Sequence, residues 1–196
     1  MATLVCFHAH PDDECIATGG TMAKAAADGH RVVLVVATRG EHGEVADGFL
    51  DDGEHLWQRR VQETHTAAEI LGAQRVEFLG YVDSGMMGTP ENDKPGSFWT
   101  ADIDEAAAKL AAILREENAD VLTVYDDHGA YGHPDHIQVH RVGVRAAEIA
   151  GVDKVFQSTI NRDHIIRGLS ERRELLPEGT EMPDFEAAPD FGSPES

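Results

Sequence analysis

The chain has 196 residues, 41% of them apolar, enough for one globular domain with a sizeable core. Its 36 acidic against 16 basic residues give a formal charge of -20, which repels nucleic-acid phosphates and anionic lipid surfaces alike. The longest apolar run, Val32 to Ala37, falls far short of the roughly 20 residues that span a bilayer, and the opening MATLVCF carries no basic leader region; the expectation is a cytoplasmic protein with neither membrane nor nucleic acid as partner.

Short β-branched runs then alternate with helical patterns. Thr3 to Phe7 reads as a strand, followed by HAHPDDE from His8 to Glu14 and a helix from Ile16 to Asp28. A second strand, Arg31 to Ala37, leads into TRGEHGE and a helix over Glu54 to Leu71. The third strand is Arg75 to Leu79, and the next helix, Ile103 to Asn118, sets Ile103, Ala106, Ala107, Leu110, Ile113 and Leu114 on one stripe. Val121 to Tyr125, a helix over Pro134 to Ala150 and a strand over Lys154 to Thr159 complete the pattern. Gly29 and Gly72 stand where helix C-caps are expected. Alternation of this kind predicts an α/β fold of three layers, with a mostly parallel sheet of order about 3-2-1-4-5 and helices on both faces. Residues 1–176 form the expected domain; 177–196, PEGTEMPDFEAAPDFGSPES, with four prolines and no base, reads either as an extended tail or as the truncated remainder of the domain. Cys6 and Cys15 make no CxxC pair and read as small buried or half-buried thiols.

In a doubly wound sheet the ligand site lies beyond the carboxyl ends of the strands where the order reverses, here between strands one and four. HAHPDDE follows strand one, and a phosphate-binding GxGxxG is absent, since the next glycine is Gly19. After strand four comes GHPDH, a second His-Pro-Asp triplet. Proline can open a helix or a tight turn, and residues three apart then share a side, pairing His10 with Asp13 and His133 with His136. Two imidazoles and a carboxylate suit zinc, and a divalent cation would offset the cost of crowding Asp12, Asp13 and Glu14. Asp12, between ligands, could take a proton from a water that zinc acidifies to a pKa of about 7. Tyr131 and His133 could donate to a developing oxyanion or protonate a leaving amine, with Asp135 orienting His133. These are the parts of a metal-dependent amide hydrolase.

HPDDE, TRGEHGE and YGHPDH, with RVQE, LG and GYVDSGM between them, resemble the LmbE-like or PIG-L superfamily of metal-dependent N-acetylglucosamine deacetylases, over about Leu4 to His164. The resemblance implies a Rossmann-like fold and a hydrolase that releases acetate from a small N-acetyl amino sugar or its conjugate. It implies Zn2+, with Fe2+ as the alternative, on His10, Asp13 and His136. Asp12 would be the general base, His133 and Tyr131 would stabilise the tetrahedral intermediate, and Arg60 and Asp83 would face the sugar. Glu41 is expected to shape the loop after strand two. His8 alternates with Cys6 along its strand and reads as packed rather than ligating. Two other readings remain at this point: a metal-holding domain without catalysis, and a non-haem iron oxygenase with His10, Asp12 and His136 as its facial triad.

Overall fold

Successive residues of the first strand point to opposite faces of one sheet, and the two faces are covered by different helices. The structure, a computed structural model, describes residues 1–171 and 192–194. In chain order it runs β1 (Thr3–His8), α1 (Gly19–Ala27), β2 (Arg31–Val36), α2 (Leu56–Ile70), β3 (Arg75–Phe78), α3 (Ile103–Glu116), β4 (Val121–Tyr125), a one-turn α4 (Gly129–Gly132), α5 (Pro134–Ala150), β5 (Val155–Ser158) and α6 (Arg162–Glu171). The strands pair in parallel in the order β3-β2-β1-β4-β5, as the alternation predicted. Val5 and Phe7 of β1 and Val33 and Val35 of β2 join the cluster formed by Ala106 and Leu110 of α3 and Val139 and Val142 of α5. Their neighbours Leu4, Cys6, Val32 and Leu34 pack with Met22 of α1 and Ala68 of α2. Burial on both faces explains why these strands are continuously apolar.

The parallel sheet is not the jelly roll that usually carries the facial triad of an iron oxygenase, so that reading is set aside. The helix expected from Ile16 to Asp28 is two pieces: a wide π turn over Glu14–Thr18 precedes α1. Gly29 and Gly72, at φ 82 and 77, follow α1 and α2 and take the left-handed conformation that a C-cap glycine supplies. Gly143 of α5 has another reason: a Cβ there would lie 2.3 Å from Val124 Cγ1, so α5 and β4 meet with no room for a side chain. No helix among the described residues is long and apolar enough to cross a membrane.

At the amino ends of the strands, Glu117 accepts from Arg31 Nη2 at 3.0 Å and from Arg75 Nη1 at 2.8 Å. The expected boundary at residue 176 and most of the expected tail lie outside the described residues. Within the tail, Gly192 donates its N–H to the Ala130 carbonyl at 2.8 Å, and Ser193 bridges to Asn161.

Candidate functional site

The first His-Pro-Asp turn leaves the carboxyl end of β1. Asp12 takes φ 95, a left-handed conformation for a residue with a side chain, and its N–H is held by Glu14 Oε2 at 3.0 Å. Glu14 therefore does not join the acids that share the site, as the clustering suggested. It is buried inside the turn as a backbone acceptor, and burial raises its pKa. The strained turn sends the two aspartates apart: the Asp12 side chain is 56% exposed, whereas that of Asp13 is 13% exposed. Arg60, 48 residues on in α2, donates to Asp12 Oδ2 at 2.6 Å and also to the Pro11 carbonyl. It lines a cavity of about 190 Å³ together with Asp12, His10, His42, Asp83 and His133.

The second turn opens α5. His133 is its N-cap, Pro134 stands in the first turn, and His133 Nδ1 accepts the Asp135 N–H at 3.1 Å. Asp135 was expected to orient His133 with its carboxylate, but that carboxylate goes elsewhere: it takes His10 Nε2 at 3.0 Å, the Ser84 N–H at 2.9 Å and the Ser84 hydroxyl. Residues two apart in a helical turn point to different sides, so only the Asp135 backbone can reach back to His133. Asp135, whose side chain is fully buried, thus orients His10 across the switch point.

Asp13 Oδ2 lies 3.4 Å from His10 Nδ1 and 3.4 Å from His136 Nε2. Ligands about 2.0–2.1 Å from a tetrahedral zinc are separated by roughly 3.3 Å, so both spacings match an edge of that polyhedron. His10 donates Nε2–H to Asp135, which leaves Nδ1 without a proton in the neutral ring and suited to a cation. His10, His133 and His136 also offer nitrogens that lie within 4.8 Å of one another, as do donor atoms of His10, Asp83 and Asp135. The donor set fits zinc, and the surrounding carboxylates favour positive charge. Burial opposes a charge on His10, but bonds to Asp13, Asp135 and Asp83 outweigh it and hold its pKa well above the usual value. Burial likewise works against Asp13, and its bonds to His10 and His136 override that, keeping it well below the carboxylate range. Burial, followed by the neighbouring charge of His10, pulls His133 down to about 4 and leaves it neutral.

The other sequence candidates surround this centre. Asp83 Oδ1 is 3.5 Å from His10 Nε2 and also accepts the Gly85 N–H at 2.8 Å, so it is both a turn residue and a neighbour of the site. Glu41 accepts the Asp83 N–H at 3.1 Å, tying the loop after β2 to it. The Tyr131 hydroxyl lies 3.5 Å from His136 Nε2. The preceding Ala130, at φ 62, is gripped at both polar groups, its N–H by Asp126 Oδ1 at 2.6 Å and its carbonyl by Gly192. Beyond Tyr131 and Asp12 a second cavity of about 460 Å³ opens toward Ile16, Ser158 and Ile160. Cys6 is buried as expected, but Cys15 is exposed.

Two residues of the site were not read from the sequence: Ser84, which holds Asp135, and Tyr125, whose ring stacks on His136; His8, read as packed, is buried with its ring nitrogens on Tyr125 and Thr18. Position at a strand end next to the switch point was the one available signal for Tyr125.

The family described as GlcNAc-PI de-N-acetylase (PIG-L) matches residues 5–147. Over 156 residues the chain is 54% identical to a protein of Catenulispora acidiphila named 1D-myo-inositol 2-acetamido-2-deoxy-alpha-D-glucopyranoside deacetylase 1; the match covers 75% of this chain and 48% of that protein. The chain thus spans about half of that relative's length. Among solved structures, the N,N'-diacetylchitobiose deacetylase of Pyrococcus horikoshii superposes with TM-score 0.60 at 22% identity, over 90% of this chain and 71% of that one. GalB, the 4-carboxy-2-hydroxymuconate hydratase of Pseudomonas putida KT2440, superposes with TM-score 0.59 at 19% identity, over 93% of this chain and 100% of that one, so the fold by itself does not give the reaction. With most of its length matched by the family and its two His-Pro-Asp turns facing each other at the switch point, the chain belongs to the PIG-L family.

Proposed function

We propose that this chain hydrolyses the acetamide of a small N-acetylglucosaminyl conjugate, with the inositol glycoside for which its 54%-identical relative is named as the leading substrate. The observation that carries the reading is Asp13 Oδ2, set 3.4 Å from a nitrogen of His10 and 3.4 Å from one of His136, with Asp12 facing the adjoining cavity. His10, Asp13 and His136 would hold zinc, or Fe2+ in its place, and the bound ion supplies a Lewis acid for the acetamide carbonyl and acidifies water. Asp12 takes the proton of the attacking water: Arg60 holds its Oδ2, which leaves Oδ1 as the base. As the C–N bond breaks, that proton passes to the departing nitrogen, giving acetate and a free amine. Neutral His133 accepts the Asp135 N–H at Nδ1, so its proton sits on Nε2 and donates to the oxyanion forming on the carbonyl. Tyr131 is a second donor, its hydroxyl kept protonated by burial and by the charge of Asp13. Arg60 and Asp83 line the side of the cavity assigned to sugar hydroxyls. A formal net charge of -20 suits work on a small molecule in the cytoplasm.

The test is amine release by the zinc-loaded chain from 1D-myo-inositol 2-acetamido-2-deoxy-α-D-glucopyranoside. Wild type should release amine and acetate in equal amounts, and His136→Ala should lose both metal and turnover. Stoichiometric zinc retained by His136→Ala would overturn the ligand set. Stoichiometric zinc in wild type with no amine released from this or related N-acetyl glucosides would leave a metal-holding domain without catalysis.

A further inference from the structure

A metal-ligating histidine ordinarily keeps its orientation by donating its second ring N–H to a carboxylate, a carbonyl or water. His10 follows that rule through Asp135. His136 does not: its Nε2 faces Asp13, while its Nδ1 is buried and makes no hydrogen bond among the described residues. Its ring instead lies flat on that of Tyr125, with centroids 4.2 Å apart and planes 10° from parallel.

Tyr125 is the last residue of β4 and is itself fixed. Its hydroxyl is 2.8 Å from His8 Nδ1, and His8 Nε2 is 2.8 Å from Thr18 Oγ1, which donates to the Glu14 carbonyl at 3.3 Å. A neutral imidazole bridges the two hydroxyls in either tautomer, donating to one and accepting from the other. The chain crosses from β4 to β1 and ends in the π turn, so it joins the two strand ends that carry the His-Pro-Asp turns. The Tyr131 ring also meets His136, edge-on, with centroids 5.0 Å apart and planes at 68°. A stacked face sets the tilt of an imidazole, and the helix that bears it sets the rest.

We infer that Tyr125, pinned by His8, is the positioning residue for His136, setting the tilt of its ring by stacking against it. The inference rests on the reading of His136 as a metal ligand. It assigns His8, a buried histidine two residues from a proposed ligand, to the support of the opposite ligand rather than to the metal.

Zinc affinity of the full chain, measured by competition with a chromogenic chelator, tests it in wild type, Tyr125→Phe, Tyr125→Leu and His136→Ala, alongside visible spectra of the cobalt-loaded proteins. Tyr125→Leu removes the face and should weaken zinc binding by about 10- to 100-fold, the usual scale for residues behind a ligand, and should alter the cobalt bands. Tyr125→Phe keeps the face and should restore most of that affinity, although it lacks the hydroxyl just as leucine does. If the leucine variant does not fold, the phenylalanine variant decides, through a cobalt spectrum that broadens once the ring is freed from His8. Zinc affinity equal in the folded leucine variant and wild type, with zinc lost from His136→Ala, would overturn the inference alone. An unchanged cobalt spectrum in Tyr125→Phe would remove His8 from it. Zinc retained by His136→Ala would overturn the ligand reading, and this inference with it.

Discussion

At the amino ends of the strands the acids are paired with arginines: Glu117, its side chain 7% exposed, accepts from both Arg31 and Arg75, and Arg75 also meets Glu116 at 3.0 Å and Glu77 at 2.9 Å. At the carboxyl ends most acids have no arginine: Asp13, Asp83 and Asp135 crowd around His10, and the nearby arginines Arg60 and Arg39 reach only the outlying Asp12 and Glu41. The same side-chain type thus serves two purposes in one sheet. Paired acids below the sheet tie β2, β3 and α3 together, which is a matter of stability. Above it, the excess of acids costs stability, and it is the place where a cation and a reacting molecule can use the charge.

Substitutions that remove one carboxylate while keeping its shape should separate the two ends. The largest effect is expected at Asp12. Asp12→Asn should lower the turnover of the zinc-loaded chain by roughly 10²- to 10⁴-fold while metal content and thermal midpoint stay at wild-type values. Turnover within a few-fold of wild type would remove Asp12 as the base. Next is Asp135, its counterpart in the second His-Pro-Asp turn but fully buried. Asp135→Asn should cost about 1.5–3 kcal/mol in urea unfolding, because it weakens the charge-assisted bonds to Ser84 and His10. A variant as stable as wild type would mean that these bonds do no more than offset the burial of the charge.

Glu117 should show the smallest effect and a different dependence on pH. The hydrogen bond from Arg31, followed by the cost of burial and the bond from Arg75, leaves its pKa at about 2, against an ordinary 4.5. A carboxyl whose pKa is lower in the folded state stabilises the fold above its unfolded pKa, and loses that contribution as pH falls through the folded one. Wild type should therefore lose about 1 kcal/mol between pH 5 and pH 2, a figure reduced because Arg31 is more than a third exposed and screened by water. Glu117→Gln should lack that loss and show normal turnover at pH 7. A parallel pH profile for the two proteins would exclude the ion pair as its source.

The sheet was legible because its signals are local and repeated. Val32 to Val36 is an unbroken apolar run of the kind that only a strand buried on both faces needs, and Pro134 and Gly151 bracket α5 at the expected residues. The two His-Pro-Asp turns were legible as a pair because the strand order brings together residues far apart in sequence. Contacts that depend on a particular side-chain direction were not. Asp12 and Asp13 are adjacent acids in the sequence, and only a left-handed turn held by Glu14 separates their surroundings. Arg60 has Glu63 one turn away in its own helix, yet it bonds to Asp12 and Pro11 instead. A single tyrosine at a strand end has no periodicity to mark it, so the support of His136 by Tyr125 was invisible before the fold was known.

The central position of β1 also has a consequence during synthesis. His10 and Asp135 are 125 residues apart, and β1 pairs with β2 soon after it is made but with β4 only much later. At about 5–20 residues per second, the ribosome needs roughly 6 to 25 s to supply the second partner. For that interval one edge of an apolar strand, Leu4 to Cys6, lies open beside a turn rich in acids. Like charges beside an open strand edge discourage a second chain from adding a strand there.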